Sequence, residues 1–131
     1  MKRINKQGFT LVEIMIVIAI IALLAAIAMP NLLRAKISAN DTTAKTTVRT
    51  LSTAAETYGT ANNGNYPGDE TSLTGATPKY LNKSYCATTV SGFDYVCTMS
   101  ATGYTFVAIP ATMGTSGTTT FTITTGGVLT P

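Results

Sequence analysis

The chain has no histidine and no tryptophan, and only 11% of its residues are charged. Without an imidazole it lacks the side chain that most often serves as a general base near neutral pH, and also the commonest metal ligand. The acids Asp41, Glu56, Asp69, Glu70 and Asp94 are scattered, and no serine sits in a nucleophile-elbow pattern. Asp69 and Glu70 beside Gly68 offer only a fragment of a calcium loop. No enzymatic activity, metal or cofactor is therefore expected. No aromatic residue lies between Phe9 and Tyr58, so this stretch offers no stacked-ring path for electrons. Glycine is also missing from Phe9 to Tyr58, where Pro30 is the single proline. Nothing else there breaks a helix.

What is present begins with charge. Lys2, Arg3 and Lys6 account for the whole formal charge of +3, because residues 9–131 hold six basic and six acidic side chains. With the leader set aside, the basic balance no longer points to a nucleic-acid partner. Behind the leader, an unbroken apolar run of 16 residues extends from Ile14 to Met29, and Glu13 stands at its head. Twelve residues from Phe9 to Met29 are Phe, Leu, Ile or Val. At roughly −0.3 to −0.6 kcal/mol each they favour membrane insertion by about 4 to 7 kcal/mol, whereas one acidic residue costs about 2.5 to 3.5 kcal/mol at the bilayer centre and less near an end. Insertion wins, and Glu13 enters in need of a partner.

A single helix of about 50 residues would extend about 75 Å, more than a bilayer requires. Its first part is apolar on every side. After Pro30, Ile37, Ala44, Val48, Leu51, Ala55 and Tyr58 form one apolar stripe, with Lys45, Thr46, Thr47, Arg49, Thr50 and Thr53 between them. Pro30 lacks an N–H and costs about 3 kcal/mol in a helix interior, which predicts a hinge or an opened turn. Gly59, Asn62, Asn63 and Gly64 end the helix, and Pro67 prevents its resumption.

Asn65 to Tyr85 shows no period and reads as a loop with at most one short turn or strand. Alternation then sets in. Phe93, Tyr95 and Cys97 share one strand face, Tyr104, Phe106 and Ala108 the next, and Phe121 and Ile123 a third. Sequential short strands imply an antiparallel meander whose apolar face the helical stripe covers. Cys86 and Cys97, an even count beyond the apolar segment, read as one structural disulfide. The fold class is α+β: a long N-terminal helix packed on a small antiparallel sheet. The segments are a leader (1–8), a membrane or filament-core helix (9–30), an amphipathic half of the same helix (31–62), and a globular loop-and-sheet part (63–131).

The basic leader, Gly8-Phe9-Thr10-Leu11-Val12-Glu13-Ile14, the apolar run and Pro30-Asn31-Leu32-Leu33 together resemble the class III signal of type IV pilins. Tyr58 to Pro67 is similar to a turn found in pilins and in type II secretion pseudopilins. The resemblance implies a pilin-like fold, cleavage after Gly8 by a prepilin peptidase, N-methylation of Phe9, and assembly through Glu13 and Pro30. The implied partners are further copies of the chain, pilus assembly machinery and, before assembly, the bacterial inner membrane; nucleic acid enters only at the filament surface or tip. The implied role is a subunit of an extracellular pilus used in adhesion, twitching motility or DNA uptake, with Glu13 favouring a place in the shaft. Two alternatives stand beside it. One is a pseudopilin of a type II secretion system. The other is a secreted protein with a conventional signal, cut behind Ala26-Ile27-Ala28 to leave Met29 as the mature start.

Overall fold

The computed structural model describes residues 8–131, so Lys2, Arg3 and Lys6 of the basic leader lie outside the described residues. The chain divides into two units, one ending at Arg34 and the other running from Ala35 to Pro131. Helix α1 (Leu11–Ala61) contributes its first part to one unit and its remainder to the other.

In the first unit the large apolar side chains of α1 are all exposed, among them Ile14, Ile18, Ile21, Leu24 and Ile27. Its most apolar 18-residue window has a mean hydropathy of 3.0, long and apolar enough to cross a membrane. The opened turn expected at Pro30 is not present, because residues 26 to 34 are all helical. Proline removes only its own N–H, which leaves the single carbonyl of Ala26 without its helical donor while the ladder on either side continues.

In the second unit the predicted stripe is the buried face of α1. Ala44, Val48, Leu51 and Ala55 are fully buried, while Ile37 and Tyr58 are half-buried at its ends. Thr47, expected among the polar positions, is buried as well, its hydroxyl satisfied by donation to the Thr43 carbonyl at 2.9 Å. The helix ends as expected. Asn63 and Gly64 take positive φ (56° and 87°), and the Gly64 N–H returns to the Gly59 carbonyl at 2.8 Å, closing a glycine C-cap. One turn of helix, α2 (Thr71–Thr74), interrupts the following loop.

The sheet is an antiparallel meander of five strands rather than three, in the order β1-β2-β3-β4-β5. They are β1 (Thr89–Val90), β2 (Phe93–Ser100), β3 (Gly103–Pro110), β4 (Phe121–Thr124) and β5 (Val128–Thr130). The two unforeseen strands are edges of two and three residues, too short for alternation to register. The register stacks Tyr95 on Ala108, Cys97 on Phe106, Ala108 on Phe121 and Phe106 on Ile123, so one sheet face carries the core. Phe93, Tyr95, Phe106 and Ile123 join Val48 and Leu51 of α1 in that core, together with Leu73 of α2 and Leu81.

Candidate processing and assembly site

Gly8, Phe9 and Thr10 precede the helix, and Phe9 is 87% exposed. Thr10 begins α1 as its N-cap. The Thr10 N–H and the Thr10 hydroxyl both donate to Glu13 Oε2, at 2.7 and 2.8 Å. In return the Glu13 N–H donates to Thr10 Oγ1 at 3.2 Å. This is a capping box, which satisfies amides that the first helical turn leaves without partners. Its Thr-x-x-Glu spacing is present in the sequence as Thr10-Leu11-Val12-Glu13. The sequence reading missed it by attending to the carboxylate's cost in lipid. Phe9, Glu13, Ile14, Ile16 and Val17 line a shallow, mostly apolar concavity of about 330 Å³ beside the box.

Phe9 and Glu13 thus line one concavity at the start of α1, and Gly8 precedes it. Pro30 stands more than four turns further along the same helix and does not join them. Cys86 and Cys97 form a disulfide in the other unit, with their Cα atoms 5.6 Å apart. It ties the segment before β1 to the middle of β2.

The remaining carboxylates hold loops. Asp41 on α1 accepts the Thr118 N–H and hydroxyl at 3.0 and 2.7 Å, while Asn40 beside it donates to the Ser116 carbonyl at 2.8 Å. Glu56 takes three donors: the Tyr104 hydroxyl (2.7 Å) and Gly126 N–H (2.7 Å) at Oε1, and the Tyr66 hydroxyl (3.0 Å) at Oε2. Desolvation pushes this carboxyl upward, but the hydrogen bonds from Tyr104, Gly126 and Tyr66 outweigh it and hold the group below its ordinary range. Burial, aided by the neighbouring Glu56 carboxylate, pushes the Tyr104 hydroxyl up to about 12. Asp69 caps α2 through the Ser72 hydroxyl and N–H, both at 2.8 Å, and these bonds lower its carboxyl. Glu70 accepts the Tyr85 and Cys86 N–H groups at 2.6 and 3.1 Å, fixing the approach to the disulfide. Asp94 accepts the Thr89 hydroxyl across the β1–β2 pair. Among the described residues no cluster of three or more His, Cys, Asp or Glu side chains could hold a metal ion.

Residues 3–29 match the family model described as the prokaryotic N-terminal methylation motif. The chain is similar to the type IV wide pilus major component PilA4 of Thermus thermophilus, with 66% identity over 38 residues, 29% of each chain. It is 46% identical over 54 residues to the type IV major pilin protein PilA of Myxococcus xanthus, covering 41% of this chain and 24% of that one. The type II secretion system core protein G of Vibrio cholerae is 37% identical over 83 residues, 63% of this chain and 56% of the relative. These matches span from about a quarter to just over half of the relatives' own lengths. No solved structure matches the chain. The methylation motif at its start, the partial similarity to two type IV pilus proteins and a secretion core protein, and a long helix leading into an antiparallel sheet together make the chain similar to type IV pilins and to the secretion core proteins.

Proposed function

We propose that this chain is the repeating structural subunit of a type IV pilus. The observation that carries the reading is the arrangement at its start: an exposed Gly8-Phe9 bond, then Glu13 as the one charged residue from Phe9 to Leu33, at the head of an apolar helix with no cover of its own. Cleavage after Gly8 by a prepilin peptidase, followed by N-methylation of Phe9, produces an amine one helical turn from the carboxylate. Before assembly the apolar segment lies in the inner membrane, with the leader inside and the disulfide-bonded part outside. After assembly the same segments pack on one another in the filament. Dispersion and burial supply the cohesion, and Ala19, Ala22, Ala25, Ala26 and Ala28 permit close helix approach. The Glu13 pair sets register, because a buried charge without its partner costs about 3 to 5 kcal/mol. Pro30 weakens the helical ladder at one place and marks where the shaft helix can yield.

A second reading, a core subunit of a type II secretion pseudopilus, is favoured by the longest alignment, the 83 residues shared with core protein G. The pilus reading is supported by the higher identities, 66% and 46%, to the two pilus proteins. Two observations test both. Mass spectrometry of the mature chain is expected to find a methylated Phe9 at its start, and a start at Met29 would sink either reading. Electron microscopy of cells is expected to show surface filaments that vanish when the chain is deleted, whereas loss of protein secretion with no surface filament at any expression level selects the secretion system.

A further inference from the structure

We propose that the outer face of the sheet, the one turned away from α1, is a weak self-association surface that takes the same face of a second copy of this chain in another filament. The repetition it needs rests on the filament reading proposed above. Strand register sets the residues of this face in two rows. Thr98, Thr105 and Thr124 align with Val128 across β2 to β5, and Val96, Val107 and Thr122 align with Thr130 beside them. All eight positions are threonine or valine, and none carries a charge. A solvated surface ordinarily mixes lysine, arginine, glutamate and aspartate among such residues, which keeps copies apart. Among the described residues of the second unit, the exposed large apolar side chains are Val96, Ile109, Met113 and Val128, and all but Met113 lie on this face. The grid is therefore built to be covered.

The chemistry of the face selects an identical face over another partner. Threonine hydroxyls both donate and accept, so the face supplies its own complement, with valine methyls between them at the sheet-packing distance of about 10 Å. Among the described residues, none on this face is a cation that would draw an anionic partner or an aromatic ring that would stack a sugar or a base. Its one charged residue, Asp94, lies near the start of β2 opposite Ile109 and already accepts the Thr89 hydroxyl. In a two-fold pairing with antiparallel strands the two Asp94 side chains fall at opposite ends and do not meet. Size then sets the strength. Strands about 4.8 Å apart, with same-face residues about 6.7 Å apart, give the two rows roughly 250 Å², against about 800 Å² per partner in a stable interface. A single pair of free chains does not hold together. An array does, because linked sites engage in concert and avidity exceeds the single affinity by about 10² to 10⁴ without any new contact. The face is silent on a lone subunit and adhesive on a filament, where it draws filaments side by side.

The test displays the full chain on lipid vesicles, anchored by its own apolar segment, so that an array exists whether or not filaments form. Vesicle clustering is followed by light scattering, and the same chain in detergent micelles is sized by ultracentrifugation at the same protein concentration. Wild-type vesicles are expected to cluster while the micellar chain stays monomeric. T105E and T105K each place one sign of charge at the centre of the grid, and each is expected to lower clustering about tenfold or more. Mixing T105E vesicles with T105K vesicles is expected to restore clustering, which a variant that fails to fold cannot do. N82E adds the same charge at an exposed position in the loop between α2 and β1 and is expected to cluster as wild type does. Dispersed wild-type vesicles would overturn the proposal, as would a T105E variant that clusters normally, an N82E variant that disperses, or mixed T105E and T105K vesicles that stay apart. A stable dimer in micelles would overturn it as well, because the face would then act without an array. Electron microscopy of cells checks the underlying reading separately: absence of filaments refutes the pilus and not the self-association of the face.

Discussion

Glu56 on α1 receives the backbone N–H of Gly126 at 2.7 Å, joining the helix to the turn between β4 and β5 across 70 positions of sequence. The same oxygen takes the Tyr104 hydroxyl, which is also 2.7 Å from the hydroxyl of buried Ser52, and the other oxygen takes Tyr66. One side chain thereby ties the loop after the helix, strand β3 and the last hairpin to a single point on α1. Hydrogen bonds to a charged group contribute about 1.5 to 3 kcal/mol each, and exposure to solvent lowers that. Replacing Glu56 with alanine is expected to destabilise the second unit by about 2 to 3 kcal/mol, and E56Q by about 1 kcal/mol. Urea unfolding of the full chain in micelles, followed by tyrosine fluorescence, measures both. A smaller loss for E56A than for E56Q would contradict the clamp.

The pH dependence follows from the same group. The Glu56 and Asp69 carboxyls are both lowered in the folded chain relative to their ordinary values. A depressed folded pKa means that the unfolded chain binds protons more readily. The stabilisation is therefore complete above the unfolded carboxylate range, near pH 4 to 4.5, and is lost as pH falls through the lower folded values. Melting temperature is expected to be flat from pH 8 to about pH 5 and to drop below about pH 4. In E56Q the acid drop is expected to be shallower, which a thermal scan at each pH reads directly.

The disulfide closes a loop with a sequence separation of 11 between Cys86 and Cys97. Constraining the unfolded chain over such a loop is worth on the order of 3 kcal/mol. The double variant C86S/C97S is expected to lose about that much stability while keeping its secondary structure, because the core of the second unit is formed largely by other residues. Circular dichroism together with chemical denaturation tests the pair of statements. An unchanged denaturation midpoint would remove the disulfide from the stabilising contacts.

Gly117 leaves no room for a side chain. A Cβ there would collide with the Phe93 ring and lie 2.8 Å from Asp41 Oδ1. Phe93 is fully buried, and Asp41 is holding Thr118, so neither gives way freely. G117A is expected to cost about 1 to 3 kcal/mol and to loosen the 112–118 loop. Amide exchange at Thr118 offers a local reading, and protection equal to wild type would show that the loop absorbs the methyl group.

At the start of the chain, E13A is expected to remain a substrate for cleavage after Gly8 and to reduce filament yield at least tenfold, since a neighbour's amine then has no counter-charge in an apolar core. Replacing Gly8 with a bulky residue is expected to leave the leader attached. Immunoblots of cell fractions and of sheared filaments distinguish the two defects. Normal filament yield from E13A refutes the pairing.

Much of the architecture is written into local sequence. Fifty residues without glycine, an apolar run and then a stripe at helical spacing determine α1, and Asn63-Gly64 ends it where a left-handed residue is needed. Two-residue alternation around Tyr95, Phe106 and Ile123 determines the core face of the sheet, since side-chain direction in a strand is itself a local property. The Gly8-Phe9 to Glu13 arrangement is likewise local, and so is its Thr10 cap. Tertiary structure decided what periodicity does not carry. The edge strands β1 and β5 exist only because β2 and β4 offer them hydrogen-bonding partners. Thr47 is buried because it lies on the helix face between Ala44 and Leu51 that the core covers, its hydroxyl being satisfied by the carbonyl one turn back, and the helix continues through Pro30 because the missing N–H leaves the rest of the ladder in place. Most of all, the acids that look scattered in sequence, Asp41, Glu56 and Glu70, meet donors between 10 and 77 positions away. A hydrogen bond over such a separation depends on where the chain returns in space, and no local spacing encodes that return.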